Sequence, residues 1–252
     1  MQVDITIITV TRNDLEGLKY TAQSVIPKLT DHIRWVIIDG ASSDGTADYI
    51  KSISDHLYYF VSEQDGGIYS AMNKGALHSP VDSYLIWINS GDSLLSLPII
   101  DGKCDAYFYG VKIKENGVDK IPFIPNTFGI GSVSPCAQYF HQGFFVRCKI
   151  FLTLMYDESI GLSADMLLML QVVKNFSCRV LPEVIALYSA EGQSNSRPLS
   201  LLLSHLRVVS KLKLSILKYI AINNIFVIKC IIKSIVPFSW LVIFRAYRTE
   251  KF

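Results

Sequence analysis

The chain has 252 residues, of which 50% are hydrophobic, 12% aromatic and 18% charged, a balance that supports a sizeable core and excludes a disordered segment. Five cysteines (104, 136, 148, 178 and 230) form no C-x-x-C and no cluster with histidines, which excludes a zinc finger, a thioredoxin-type redox motif and a disulfide-dense secreted scaffold. The net charge of +2 is unevenly spread: positions 199–252 hold nine Lys/Arg and one acid, and taking these from the totals of 24 and 22 leaves 15 basic and 21 acidic residues before them. Two different jobs are expected of the two parts. The first positive charge is Arg12, so no basic leader segment is read, and reduced thiols and a cytoplasmic setting are expected.

The first hundred residues alternate strand-like and helix-like segments. Ile5–Val10 is a β-branched run typical of a strand buried on both faces. Polar residues 11–14 then cap a helix through Leu18, Ala22 and Val25 that stops at Pro27. Arg34–Asp39 reads as a second buried strand, followed by a turn-rich stretch and a helix over 47–53. A strand at 58–62, a helix over 68–77 and a strand at 84–88 complete a βαβαβαβ pattern, which implies an α/β fold with a mostly parallel sheet and helices on both faces.

Positions 101–140 predict a β-rich or loop-rich insertion: Tyr107–Val111 and Lys112–Lys114 alternate around Glu115-Asn116-Gly117, and Pro122, Pro125, Gly129, Gly131 and Pro135 punctuate the rest. A strand at 143–146, an apolar helix over 164–173 and a short strand at 179–181 follow.

In an open parallel sheet, ligands bind beyond the carboxyl ends of the strands. Four such ends carry polar groups here: Thr11-Arg12-Asn13, Asp39, Glu63-Gln64-Asp65 and Asn89-Ser90-Gly91-Asp92. There is no G-x-G-x-x-G after the first strand and no G-x-x-x-x-G-K-[ST], which argues against a dinucleotide enzyme or a P-loop NTPase.

With these stretches in view, residues 4 to about 190 resemble a family 2 glycosyltransferase with the GT-A nucleotide-diphospho-sugar fold, of the bacterial O-antigen, capsule and exopolysaccharide type. The resemblance rests on ITVTRND at 8–14, VIIDGASSDGT at 36–46, SEQDGGIYSAMNKG at 62–75, YLIWINSGDSL at 84–94, HQGFFVR at 141–147 and SADMLLML at 163–170. It implies an inverting transfer of a hexosyl or N-acetylhexosaminyl unit from a nucleotide-diphosphate donor to a polyprenyl-diphosphate-linked saccharide. Thr11, Arg12, Asp39, Asp65, Asn73 and Lys74 are then expected to bind the nucleotide sugar, and Asp44 to shape a tight turn. Family members often carry Asp where Ser70 stands. Asp92 is expected to hold Mn2+ or Mg2+ against the diphosphate, although Ser90 replaces the first acid of the family's Asp-x-Asp. His141 and Gln142 are assigned to acceptor or diphosphate. Asp165 is the expected base, with a pKa raised by desolvation at the mouth of an apolar helix and with Ser163 as helix cap.

The basic tail forms a separate unit in this reading, with a GT-A domain over 1–198 and an extension over 199–252. Its longest uncharged runs, 219–228 and 234–244, are too short to span a bilayer. On one continuous helix, Arg207, Lys211, Lys218, Lys229 and Lys233 fall within about 80° of one another. That pattern predicts an interfacial helix with its lysines toward anionic lipid, on the inner face of the cytoplasmic membrane. Nucleic acid is disfavoured, because the opposite face is apolar and no aromatic–basic interleaving occurs over 199–233. Two rivals are a nucleotidyltransferase that makes a sugar nucleotide and a non-catalytic membrane-bound assembly partner.

Overall fold

The computed structural model describes residues 3–115, 118–120, 122–123, 140–189 and 198–217, together with 220, 227, 228, 230 and 231. The elements run β1 (Ile5–Thr11), α1 (Leu15–Val25), β2 (Ile33–Asp39), α2 (Thr46–Ser52), β3 (Tyr59–Ser62), α3 (Ile68–Leu77), β4 (Tyr84–Trp87), β5 (Ser93–Leu94), β6 (Ala106–Glu115), β7 (Val118–Asp119), β8 (Phe144–Arg147), α4 (Cys148–Leu154), α5 (Ala164–Asn175), β9 (Cys178–Ser189) and α6 (Pro198–Lys211). One sheet joins the strands in the order β3-β2-β1-β4-β8-β6-β9-β5, with β7 paired to β6. The β3-β2-β1-β4 half is parallel, as its β-branched runs imply; β8 enters antiparallel between β4 and β6, and β6 and β9 pair in parallel.

Strand side chains alternate between two cores. Ile8, Val10, Val36, Ile38, Leu85 and Trp87 face α3, α4 and α5. Ile5, Ile7, Trp35, Ile37, Tyr84, Ile86 and Ile88 face α1 and α2. Period-two burial on both sides explains why these strands read as unbroken apolar runs. The polar members are paired inside: Thr9 Oγ1 donates to the Ile88 carbonyl at 2.6 Å and accepts from Trp35 Nε1 at 2.9 Å.

Two sequence expectations are corrected. Tyr107–Lys114 is not an insertion: β6 is an internal strand, and Tyr107, Phe108, Tyr109 and Val111 are buried. Its outer end carries half-buried Lys112 and Lys114, which makes a long strand look like a hairpin. The strand expected at 179–181 runs on to Ser189 through Pro182. The expected features at 116–117, 125, 129, 131 and 135 lie outside the described residues.

The tail is not one continuous helix. Helix α6 ends at Lys211, and Lys213 takes a left-handed φ of 56°, which ends the helical path. Nor does α6 turn its cations outward. Lys211 Nζ lies 2.9 Å from Asp157 Oδ2, and Arg207 Nη1 reaches the Ser159 and Ile160 carbonyls at 3.4 Å each. Val208 joins the core that contains Ile8 and Trp87, so α6 packs on the domain. Lys218, Lys229 and Lys233 lie outside the residues whose side chains are described. No helix of the described residues is long and apolar enough to cross a membrane.

Gly143, at the start of β8, backs directly onto β6: a Cβ there would run into the Tyr109 carbonyl oxygen. Backbone on both sides leaves no flexible partner to yield, so Gly143→Ala is expected to cost about 2–3 kcal/mol, at the upper end for overpacking. Urea unfolding of the variant beside the parent chain measures it.

Candidate active site

The site is assembled at the carboxyl ends of β1, β2, β3 and β4, where the parallel register brings Thr11 beside Asp39 and Asp39 beside Ser62. The loops leaving these ends are tied to one another. Asn13, in the left-handed region at φ 50°, accepts from the Ser43 amide at 2.8 Å and gives its own amide to Ser42 Oγ at 2.7 Å. Asp44 accepts from the Leu15 amide and from Thr46, and the Thr46 hydroxyl holds its carboxyl below the usual range. That is the turn-shaping role expected of it.

The residues expected to bind nucleotide sugar divide into two groups. Arg12 is exposed and packs with Asp65 over Gly40, where a Cβ would meet Asp65 Oδ2 at 2.9 Å and Arg12 Cδ at 3.2 Å. Thr11 keeps a buried hydroxyl with no hydrogen-bond partner. Lys74 Nζ is 2.6 Å from Glu63 Oε1, a pair at the same edge. Asp39, by contrast, is fully buried: its carboxylate accepts from the Ser42 amide and hydroxyl and from Ser62 Oγ, at 2.5 Å for the last. Asn73 is buried as well and clamps the Tyr156 backbone, donating to its carbonyl at 3.0 Å and accepting from its amide at 2.9 Å. These two shape the loops from behind.

Asp92 sits at 4% exposure with both oxygens engaged, by Gln142 Nε2 at 2.8 Å and the Ser189 amide at 3.0 Å. Burial pushes its pKa up to about 6 against the pull of Gln142 and His141. Ser90, where the family's first acid would stand, donates to Asp14 Oδ2 at 2.6 Å. Beside Asp92, the buried oxygens Gln142 Oε1 and Asn89 Oδ1 have no partner.

Asp165 stands at the start of α5, its side chain 23% exposed. Its Oδ1 accepts from Tyr69 at 3.0 Å and from the Met166 amide at 2.8 Å; its Oδ2 lies 3.4 Å from His141 Nδ1. Asn89 Nδ2 is 3.1 Å from His141 Nε2, so with Asn89 donating there the ring proton sits on Nδ1 and points at the carboxylate. This corrects the expected pKa direction. Burial raises the pKa of Asp165, but His141, Met166 and Tyr69 together outweigh it, and the net shift is downward. Ser163 occupies the helix N-cap position without capping, its buried hydroxyl unpartnered.

Tyr69 is the residue that sequence reasoning missed. It lies in the 62–75 stretch on α3, and burial together with the Asp165 charge pushes its phenol well above the ordinary value, so it stays a donor. Asn89 was visible as a strand-end amide, but its role in orienting His141 was not.

Three elements therefore meet at one sheet edge: a knitted set of loops beside β1–β3, the buried Asp92 after β4, and the ionised Asp165 opposite. That is the GT-A fold with its nucleotide-sugar edge. Residues 6–95 match the family model described as Glycosyl transferase family 2. Two curated relatives, the uncharacterized glycosyltransferases Rv1514c and MT1564 of Mycobacterium tuberculosis, are each 30% identical over 178 residues, covering 64% of this chain and 65% of their own length. Among solved structures, TarS 1-349 of S. aureus superposes with a TM-score of 0.64 at 13% identity, over 89% of this chain and 69% of that one. The mannosyltransferase PcManGT of Pyrobaculum calidifontis, solved with GDP-Man and Mn2+, gives 0.60 at 12% identity, over 83% and 65%. At such identities the structural likeness concerns the fold.

The donor chemistry around Asp92 fits a hard divalent cation: one carboxylate and two unpartnered amide oxygens, all oxygen ligands. Among the described residues no three Asp, Glu, His or Cys groups converge on one point, so phosphate oxygens and water would complete the coordination.

Two buried groups give opposite pH dependences of stability. Asp92 holds its proton more tightly folded than unfolded, so its contribution falls as pH rises from its ordinary value of 3.8 to about 6. His205 on α6 is pushed down to about 4 by burial, so its contribution falls as pH drops from 6.5 to about 4. Each is worth up to about 3 kcal/mol, and in the parent chain they largely cancel. Between those limits Asp92→Asn is expected to gain stability with rising pH and His205→Gln to lose it, as read from urea unfolding at several pH values.

Proposed function

We propose that this protein is an inverting glycosyltransferase that moves a sugar from a nucleotide-diphosphate donor to a hydroxyl of a lipid-linked saccharide in bacterial surface polysaccharide synthesis. The observation that carries the reading is Asp165: a partly open carboxylate, kept ionised by a phenol, an imidazole and a backbone amide, at the edge where the match to the transferase family places a donor. An ionised carboxylate at that point takes the acceptor proton as the hydroxyl attacks the anomeric carbon from the side opposite the nucleotide.

Arg12, Lys74, Thr11 and Asp65 line the donor side, with Asp39 and Asn73 fixing the loops behind them. A cation on Asp92 would neutralise charge on the departing nucleoside diphosphate. His141 holds Asp165 from one side and Gln142 holds Asp92 from the other, which keeps the base and the leaving-group region at fixed separation. TarS has been solved with UDP-GlcNAc and PcManGT with GDP-Man, so UDP- and GDP-sugars head the donor panel.

The C-terminal segment meets a membrane in this reading. The structure turns the lipid-facing assignment from cations to aliphatic groups: Leu199, Leu203, Ile216, Leu217, Ile220, Ile228 and Ile231 are exposed, Leu217 at 80%. With a basic tail beyond, this segment suits an anionic bilayer surface. Co-sedimentation with phosphatidylglycerol vesicles is expected to retain the parent chain, and Leu203→Glu with Leu217→Glu to release most of it; equal retention would overturn the membrane assignment.

The activity itself is tested by nucleoside diphosphate release from UDP-, GDP- and dTDP-sugars with a polyprenyl-linked acceptor, with Mn2+ or EDTA. Turnover is expected from one donor, with Asp165→Asn lowering kcat at least 100-fold at unchanged donor KM, about the range for general-base removal. Asp92→Ala is expected to abolish the metal response. Wild-type turnover in Asp165→Asn would overturn the base assignment.

A further inference from the structure

The turn that precedes Asp165, residues 157–163, is held from outside by the C-terminal helix. The Leu162 peptide is gripped on both sides. Its amide donates to Ser204 Oγ on α6 at 3.0 Å, and its carbonyl accepts from Tyr69 at 3.1 Å. The same Tyr69 hydroxyl lies 3.0 Å from Asp165 Oδ1. Ser204 is buried, and its own proton goes to the Ser200 carbonyl at 2.8 Å, which leaves its lone pairs aimed at Leu162. Gly161, at φ 83°, allows this approach: a Cβ there would stand 2.9 Å from Ser204 Oγ.

One and two turns further along α6, Arg207 faces the Ser159 and Ile160 carbonyls and Lys211 pairs with Asp157 at 2.9 Å. Asp157 in turn caps the 3-10 turn, accepting from the Ser159 amide at 3.1 Å. Three successive inward side chains of one helix thus meet the backbone or the cap of a single turn. A packing helix needs only apolar contact to bury its face. This one spends a serine, an arginine and a lysine on that turn instead.

We propose that α6 is a positioning element for Asp165, with Ser204 and Arg207 as positioning residues that fix the 157–163 turn and, through Leu162 and Tyr69, the direction of the carboxylate. This rests on the reading of Asp165 as the base. Proton transfer in the attack is sensitive to displacements of about 1 Å, which cost up to about 100-fold in rate. Donor binding involves other loops. Loosening the turn therefore lowers kcat and leaves donor KM alone. The unit that performs the chemistry then extends past residue 198 to the end of α6.

The experiment compares Ser204→Ala, Arg207→Gln and Asp165→Asn in the full chain, by donor turnover with the polyprenyl-linked acceptor and by amide hydrogen exchange without ligand. Ser204→Ala is expected to lower kcat about tenfold with donor KM within twofold, and to speed exchange over 157–165 while β1, β2 and β4 keep their protection. Arg207→Gln, at an exposed position where folding is not at stake, is expected to move both readouts the same way by a smaller factor. Unchanged exchange over 157–165 in both variants overturns the proposal, as does wild-type kcat in both when Asp165→Asn is inactive. Loss of protection across the whole sheet in Ser204→Ala, with Arg207→Gln unaffected, also overturns it, since α6 would then serve general stability. Full turnover in Asp165→Asn marks the other failure, that of the base assignment, and leaves the exchange result to stand on its own.

Discussion

Parallel pairing of β1 with β2 on one side and β4 on the other is the constraint on which the site depends. Strands that run the same way end at the same edge, and the register that sets Thr11 against Asp39 and Asp39 against Ser62 makes those ends coincide. Each loop leaving that edge carries amides and carbonyls that need partners. The partners come crosswise: Gly40 donates to the Thr11 carbonyl, Leu15 to Asp44, Ser43 to Asn13, and Ser90 to Asp14. The loops are therefore one knitted surface. A slip of one residue in β1 would turn every one of its side chains to the other core and unpick these ties together.

Much of this was legible in the sequence for a simple reason. Ile5–Thr11, Ile33–Asp39 and Tyr84–Trp87 are buried on both faces, so their apolar runs are unbroken, and Pro27 and the turn after Asp39 mark where each segment stops. The far half was harder to read. In β6 the exposed-type residues Lys112 and Lys114 follow an aromatic core run, and the pairing with β9 shifts register between Phe108 and Val111. In β9 a proline and a glutamate interrupt the pattern in mid-strand, which usually argues against a strand. At the site, the positions of Asp92 and Asp165 could be read from motifs. The charge state of Asp165 could not, because the groups that set it, His141 and Tyr69, arrive from 24 and 96 residues away.

The two carboxylates show how environment separates identical side chains. Asp92 and Asp165 both lose water, and in both desolvation is the largest single influence on the pKa. Asp92 receives an amide from Gln142 and another from the backbone of β9, which does not compensate for its depth. Asp165 receives a phenol, a backbone amide and an imidazole that can carry charge, and is driven the other way. Neighbouring acids pushed apart in this manner take different roles at one pH. The pair His141-Gln142 enforces the separation, since each member reaches one of the two acids and Gly143 pins the pair against β6.

The charge asymmetry across position 198 looked like a boundary between two jobs, and the packing of α6 changes its meaning. Val208 lies in the same core as Ile8, Trp87 and Leu168, and Arg207 and Lys211 are spent on the carbonyls and the carboxylate of the 157–160 turn. Cations used this way are desolvated in part and fixed in direction, unlike cations that hover over a lipid surface. An acidic body therefore uses the first basic residues of its own C-terminal segment to close on itself. The helix that carries them has two working faces, an inner one of Ser204, Arg207, Val208 and Lys211 against the domain and an outer one of Leu199 and Leu203 left to the exterior. Any force on the outer face is transmitted to the turn in front of Asp165, because a helix moves as a rigid rod and its inner bonds end on that turn.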